Sequence, residues 1–213
     1  MKIEQYLPRQ FVVVGTDTGV GKTVIAAMLV AGLRASYWKP VQSGLSEITD
    51  TEMVRTLSRL SSDCYLPEAY RLKTPISPHA AAALEGIVIE PAKLGLPTVS
   101  GRLIIEGAGG LMVPINDQTL LIDVIRDWGL PVLLVARSRL GTINHTLLSL
   151  AALRAYGIGV LGVVMNGPAD EVSRRAIEDY GKVRVLAEVP ILKELDATTI
   201  KTAYERVFAG GTF

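Results

Sequence analysis

Gly15-Thr16-Asp17-Thr18-Gly19-Val20-Gly21-Lys22-Thr23 follows directly on the apolar run Phe11-Val12-Val13-Val14. A β-branched run of this kind reads as a buried strand and Val24 to Leu33 reads as a helix, so the nonapeptide is a strand-to-helix turn. The first N–H groups of such a helix have no intrahelical partner, and the helix dipole adds partial positive charge. The turn is therefore a seat for phosphate. Lys22 would reach the outer phosphates as a point charge, and the Thr23 hydroxyl would ligate the magnesium that accompanies them. The general phosphate-loop pattern has glycine six positions before the lysine; here that position is Thr16, and the glycine stands one earlier, at Gly15. This departure points to a subfamily with a loop of its own. The plain alternative is a Gly-rich connection, against which Gly21-Lys22-Thr23 at the helix start weighs heavily.

Working outward, 213 residues of which 49% are apolar suffice for one large α/β domain, taken here as residues 1–213. The net charge is +1 and no lysine or arginine cluster stands out, so small ligands are expected as clients, with no nucleic acid and no membrane as partner. A single cysteine, Cys64, excludes an intrachain disulfide framework and a cysteine-based metal site. Met1 to Gln10 carries Lys2, Glu4 and Arg9 without the apolar core of a signal peptide, and no run approaches the roughly 20 apolar residues of a membrane span. The expected location is the cytoplasm.

Along the chain, Ala35 to Val41 reads as a short second strand, placing Lys39 and Ser43 near the phosphates, because ligands of parallel sheets bind beyond the carboxyl ends of strands. Position alone leaves Lys39 open between a ligand contact and a solvated surface group. Asp50 opens an amphipathic run, as a helix cap or as a metal-bound carboxylate. Ser77-Pro78-His79 opens a short helix, and loops are expected to concentrate between Pro67 and Pro97. Leu103 to Glu106 is a buried strand ending in a carboxylate and the glycine turn Gly107-Ala108-Gly109-Gly110, which suits a magnesium-holding acid beside the loop. Pro131 to Ala136 is a further strand. Gly141-Thr142-Ile143-Asn144 begins a long helix whose free N–H groups form a second anion site, suited to a carboxylate. Val160 to Met165 ends at Asn166-Gly167, read either as a turn or as an amide offered to an adenine edge. Val183 to Ala187 is the last strand, and helices are expected over Glu171 to Tyr180 and Ala197 to Phe208. Strands alternating with helices at this spacing predict a doubly wound, mostly parallel sheet with helices on both faces, like that of phosphate-loop NTPases.

With Lys39-Pro40-Val41-Gln42-Ser43-Gly44, Ser77-Pro78-His79, Glu106-Gly107-Ala108-Gly109-Gly110, Leu140-Gly141-Thr142-Ile143-Asn144-His145 and Asn166 in order behind the loop, the chain resembles the dethiobiotin synthetase family over nearly its whole length. Gly-Thr-x-Thr-x-Val-Gly-Lys-Thr is that family's phosphate loop. The resemblance implies a cytoplasmic, homodimeric ligase that uses ATP and Mg2+ to carboxylate 7,8-diaminononanoate with CO2. One amine forms a carbamate, ATP phosphorylates it, and the second amine closes the ureido ring and expels phosphate. It further implies that Lys39 and Lys22 are catalytic, with Thr18 placing the transferring phosphate, and that Ser43 binds the diamine end. Thr23, Asp50 and Glu106 would hold magnesium. Gly19, Val20, Gly21, Lys22, Thr23 and Val24 would cradle the phosphates beside Gly107, Ala108 and Gly109, while Asn166, Gly167, Pro190, Ile191 and Leu192 match the adenine site. Gly141, Thr142, Ile143 and Asn144 would hold the substrate's tail carboxylate across the dimer interface.

Two departures stand out. Position 19 is glycine where some relatives carry an acid near the substrate amines, and Gly86 to Leu103 is short for a covering helix, with Pro91 and Pro97 interrupting it, so that one edge of the domain is expected to be trimmed. The competing reading is a partition or cell-division switch ATPase. Such a protein carries a second lysine in Lys-Gly-Gly-x-Gly-Lys-Thr, but position 17 here is Asp. A GTPase lacks support because no Asn-Lys-x-Asp is present, and an amidotransferase-linked ligase would need more chain and a nucleophilic cysteine.

Overall fold

In the computed structural model, which describes Ile3 and residues 6–209, the strand β1 (Gln10–Gly15) lies in the middle of a seven-stranded sheet. Of the charged start, Met1, Lys2, Glu4 and Gln5 lie outside the described residues. The strand order is β4 (Tyr65–Leu66), β2 (Ser36–Trp38), β6 (Leu103–Gly110), β1, β7 (Val132–Arg137), β8 (Val160–Asn166) and β9 (Val185–Val189), and each of these pairings is parallel. The expected doubly wound α/β fold is observed.

Alternation along the strands divides the core into two layers. Phe11, Val13, Tyr37, Ile104 and Leu133 face α1 (Lys22–Leu33), α2 (Asp50–Ser58) and α7 (Ala197–Tyr204), the last ending in a π-helical turn over Glu205–Ala209. Val12, Val14, Leu103, Ile105 and Leu134 face α3 (Pro78–Leu84), α4 (Leu121–Trp128), α5 (Thr142–Ala155) and α6 (Glu171–Gly181). Packed between sheet and helices, α1 is buried from Ile25 to Val30 without interruption, so it has no polar face to betray its orientation.

Three expectations need correction, and a fourth is refined. Ala35 to Val41 is not one strand: Pro40 has no N–H to give to a ladder, and the chain leaves the main sheet after Trp38. It then forms β3 (Val41–Ser43), which pairs with β5 (Tyr70–Leu72) in a separate two-stranded parallel ribbon. Asp50 is not the cap of α2; Thr49 is, with its side chain taking the Glu52 N–H while the Glu52 carboxylate takes the N–H of Thr49. The strand β6 does not stop at Glu106 but runs on through the glycines, with a register shift that brings Gly110 opposite Gly15. The segment after Gly86 holds only a 3-10 turn, Pro91–Leu94, short of a covering helix as expected, yet it packs onto the core instead of leaving a gap there. Ile89 and Leu94 are fully buried, and the Leu94 carbonyl accepts the Trp128 indole N–H at 2.7 Å.

Candidate active site

Where β1 ends, the loop folds back over its own first glycine. A Cβ on Gly15 would stand 2.8 Å from the Asp17 carbonyl oxygen and from Val20 Cγ2, and 3.1 Å from Lys22 Nζ. That crowding leaves no room for a side chain at position 15. Gly21 caps α1 at φ 97°, and no side chain takes the first N–H groups of the helix, which are thus left for an anion. The loop is tied from across the sheet: Asn166, at the end of β8, donates its amide N–H to the Val20 carbonyl at 3.0 Å. A Cβ on Gly21 would meet that same Asn166 nitrogen at 2.0 Å. Gly21→Ala is accordingly expected to cost about 1–3 kcal/mol in stability and to weaken nucleotide binding by at least roughly tenfold, since the loop loses its Asn166 tie. Calorimetric titration with an ATP analogue would check it.

Facing the loop is a compact charge cluster. Lys39 Nζ lies 2.5 Å from Asp50 Oδ2 and 3.1 Å from Glu106 Oε1, with the Gly107 carbonyl at 3.4 Å. The Thr23 hydroxyl lies 3.0 Å from Asp50 Oδ1 and 2.9 Å from Glu106 Oε1. Glu106 is wholly buried, and its second oxygen accepts the Tyr37 hydroxyl at 2.9 Å. Burial works against the charge of Lys39, but Glu106 and Asp50 outweigh it and hold the ammonium above its ordinary value. Asp50 is held below the usual carboxylate range, its own burial being overcome by Lys39 and by the Thr23 hydrogen bond. Lys22 stands differently. Its ammonium bonds the Asp17 carbonyl at 3.1 Å, and burial together with repulsion from Lys39 lowers it to about 8. Two ammonium groups of unlike support thus flank one space, the arrangement an arriving polyanion would relieve.

That space is a cavity of about 600 Å3. It is lined by every loop position from Thr18 to Val24 except Val20, and by Lys39, Ser43, Asp50, Glu106, Ala108 and Gly109. Val20 is buried under the loop instead, and Gly107 packs against Leu121 while offering its carbonyl to Lys39. The Ser43 hydroxyl oxygen is buried without a hydrogen-bond partner among the described residues, as a group awaiting a ligand would be. Asn166, Gly167 and Pro190 to Leu192 do not line this cavity. Gly167 and Pro190 border a smaller one of about 330 Å3 with Glu188 and Arg206, and Ile191 is exposed. Gly141, Thr142, Ile143 and Asn144 also lie outside the cavity, at the start of α5, where the buried hydroxyls of Thr142 and Thr146 have no partner among the described residues.

Three residues that the sequence analysis assigns no role join the site. Tyr37 reaches Glu106. Gln42 takes the Asp50 N–H at 3.2 Å and bonds the Ser43 carbonyl at 3.0 Å, tying the ribbon to the start of α2. Arg137, at the end of β7, pairs with Asp17, whose other oxygen takes the Thr18 N–H at 2.7 Å. That backbone bond, with Arg137 behind it, holds Asp17 below its usual range. For Arg137 a clue existed: a cation ending the strand next to β1 points at the loop.

Comparison with known proteins places the chain in a family. A family model described as an AAA domain matches residues 9–199. The ATP-dependent dethiobiotin synthetases BioD of Rhodopseudomonas palustris (strain TIE-1) and Agrobacterium fabrum are 51% and 52% identical over 93% of this chain and 94% of each relative. That of Brucella ovis is 49% identical over the same shares. Among solved structures, a ParA family ATPase from Chlorobium tepidum superposes with a TM-score of 0.57 at 12% identity, covering 93% of this chain and 98% of that one. The cell division ATPase MinD of Pyrococcus furiosus gives 0.56 at 14% over the same shares. At such identities the superpositions speak for the fold alone.

Proposed function

The chain belongs to the ATP-dependent dethiobiotin synthetases, and on that premise we propose that Lys39 and Lys22 are the two ammonium groups between which it turns 7,8-diaminononanoate, CO2 and ATP into dethiobiotin, ADP and phosphate. The observation that carries this assignment is Lys39, buried between Asp50 and Glu106 at the wall of the cavity that the phosphate loop opens into. An ammonium has three donors; two go to the carboxylates, and the third has only the long contact to Gly107, so it is available to an anion.

Each stage leaves negative charge near the γ-phosphate: the carbamate, the transferring phosphoryl group and the phosphate that departs when the second amine closes the ring. Lys39 steadies the carbamate and the phosphoryl group, Lys22 the phosphate chain, and Thr18 orients the phosphoryl oxygens from the loop. The free hydroxyl of Ser43 receives the diamine end. Holding the amine, CO2 and phosphate together is the main contribution, and such proximity is worth about 7–11 kcal/mol. Thr23, Asp50 and Glu106 bring hard oxygens to one point, and among the described residues no cluster of three or more His, Cys, Asp or Glu could hold a metal unaided. That donor set fits magnesium, which takes one or two carboxylates and completes its shell with phosphate and water. When bound there it would neutralise charge on the phosphates.

The adenine would lie towards Asn166, Gly167 and Pro190 to Leu192; with one N–H of Asn166 committed to Val20, its oxygen and second N–H remain for the base. Homodimerisation belongs to the same proposal. It is supported by the N-terminal turn of α5, which no side chain caps, by the full exposure of Leu140 just ahead of it and by the exposed Leu148. A partner's substrate tail at Gly141 to Asn144 would give those groups a use. No helix among the described residues is long and apolar enough to cross a membrane. We take residues 1–213 as one α/β unit, supported by the family match over 9–199, and place it in the cytoplasm, which suits ATP as substrate and the free thiol of Cys64.

The test is phosphate release with ATP, magnesium and bicarbonate, with and without 7,8-diaminononanoate. Release should depend on the diamine and match, mole for mole, a cyclic urea detected by mass spectrometry. Hydrolysis indifferent to the diamine would return the chain to the switch ATPases whose fold it shares.

A further inference from the structure

We propose that Tyr37 is a positioning residue for this reaction: its hydroxyl pins the second oxygen of Glu106, so that Oε1 alone is presented to Thr23 and Lys39. The inference rests on the reading of Glu106 as part of the magnesium and nucleotide site, and it assigns to that site a residue from a strand that contributes nothing else to it.

The register of the sheet makes the contact. Tyr37 on β2 stands opposite Ile104 on β6, and Glu106 lies two residues further on, hence on the same face, under α1. Both side chains are wholly buried, and the phenol finds its partner in Glu106. Thr23 and Lys39 both approach Oε1, at 2.9 and 3.1 Å, whereas the Tyr37 hydroxyl reaches Oε2 at 2.9 Å. The terminal torsion of a glutamate is broad, with two nearly equivalent orientations. With contacts on one oxygen only, the group could tilt and share its two oxygens among the donors; a donor on the far side removes that freedom. Tyr37 is suited to the task because its hydroxyl, buried beside the carboxylate, donates to Oε2 from the side opposite Thr23 and Lys39. A purely structural tyrosine would also need a partner for its buried hydroxyl, but its loss would leave metal affinity unchanged.

Tyr37→Phe keeps the ring and deletes the donor. Binding of Mn2+, used as the probe in the presence of a non-hydrolysable ATP analogue, is read from the electron paramagnetic resonance signal of the free ion. We expect affinity to fall about 10- to 100-fold, as for other groups that orient a metal ligand, and the magnesium concentration for half-maximal phosphate release to rise in step. Analogue binding without metal should not change. Because the residue acts through Glu106, adding Tyr37→Phe to Glu106→Gln should produce no further loss. Mn2+ binding by Tyr37→Phe as tight as in the unmodified chain would overturn the proposal. If that variant does not fold, a fluorine placed on the Tyr37 ring of the otherwise unchanged protein gives a second reading. Its resonance should move when Mg2+ joins the bound analogue, and a resonance that stays in place would equally overturn the proposal. Failure of the unmodified protein to release phosphate with the diamine would sink the synthetase reading alone, since the Mn2+ and fluorine measurements need no turnover.

Discussion

Lys39→Ala is expected to lower diamine-dependent phosphate release by roughly 10³-fold or more, because in the proposed assignment it removes the ammonium that steadies the carbamate and the phosphoryl group. It should also damage the fold. Lys39 is the partner of two carboxylates, one of them fully buried, and deleting one member of a buried pair costs about 3–5 kcal/mol. For a chain of this size that is a fall of roughly 10 °C in the unfolding temperature. Both effects are measurable on one preparation, by coupled phosphate assay and by calorimetry. Retained turnover would show that the catalytic lysine is another residue. Unchanged stability would show that the Lys39, Asp50 and Glu106 cluster is not held as described.

Lys22→Ala should show the opposite division. Its ammonium has a carbonyl, not a carboxylate, as its direct partner, and burial and Lys39 both oppose its charge. Removing it therefore relieves repulsion, and the unfolding temperature should stay the same or rise slightly. Nucleotide affinity should fall by about 10²-fold, the loss of a charge-assisted contact to phosphate in a site where water is scarce. Titration with an ATP analogue reads this directly, and an unchanged affinity would remove the loop assignment. Together the two variants separate a lysine that holds the site together from one that the site holds under strain.

The parts of this arrangement that could be read from the chain are those carried by local pattern. Phe11 to Val14 and Leu103 to Ile105 are apolar enough to be strands in any context, and Gly21-Lys22-Thr23 at a helix start is hard to account for without a phosphate to bind. The ribbon after Pro40 was harder. Val41 to Ser43 continues the strand-like composition of Tyr37 and Trp38, and only the missing N–H of proline tells that the chain changes sheets. The helix α4 has a readable trace, with Leu121, Ile122, Val124 and Ile125 on one side and Gly129 as its stop, yet it stays unassigned in the sequence-based expectations. Contacts across the sheet are a different matter. The bonds Tyr37 to Glu106 and Arg137 to Asp17 join residues far apart in the chain through strand neighbours, and no spacing rule announces them. Asn166 is the instructive middle case. The resemblance offered it as an adenine contact, whereas its grip on the Val20 carbonyl appears only once β8 and the loop are side by side.

The place of β1 in the strand order also governs how the protein comes into being. Its hydrogen-bonding neighbours are a strand that begins at Leu103 and another that begins at Val132, so a ribosome that has just released the phosphate loop has synthesised neither. Both pairings close long stretches of chain, the kind of contact that slows folding because entropy is lost before the contact rewards it. The turn that looks most local in the sequence is thus completed late, and a nascent chain halted before Val132 would carry the whole motif and still have no site for ATP.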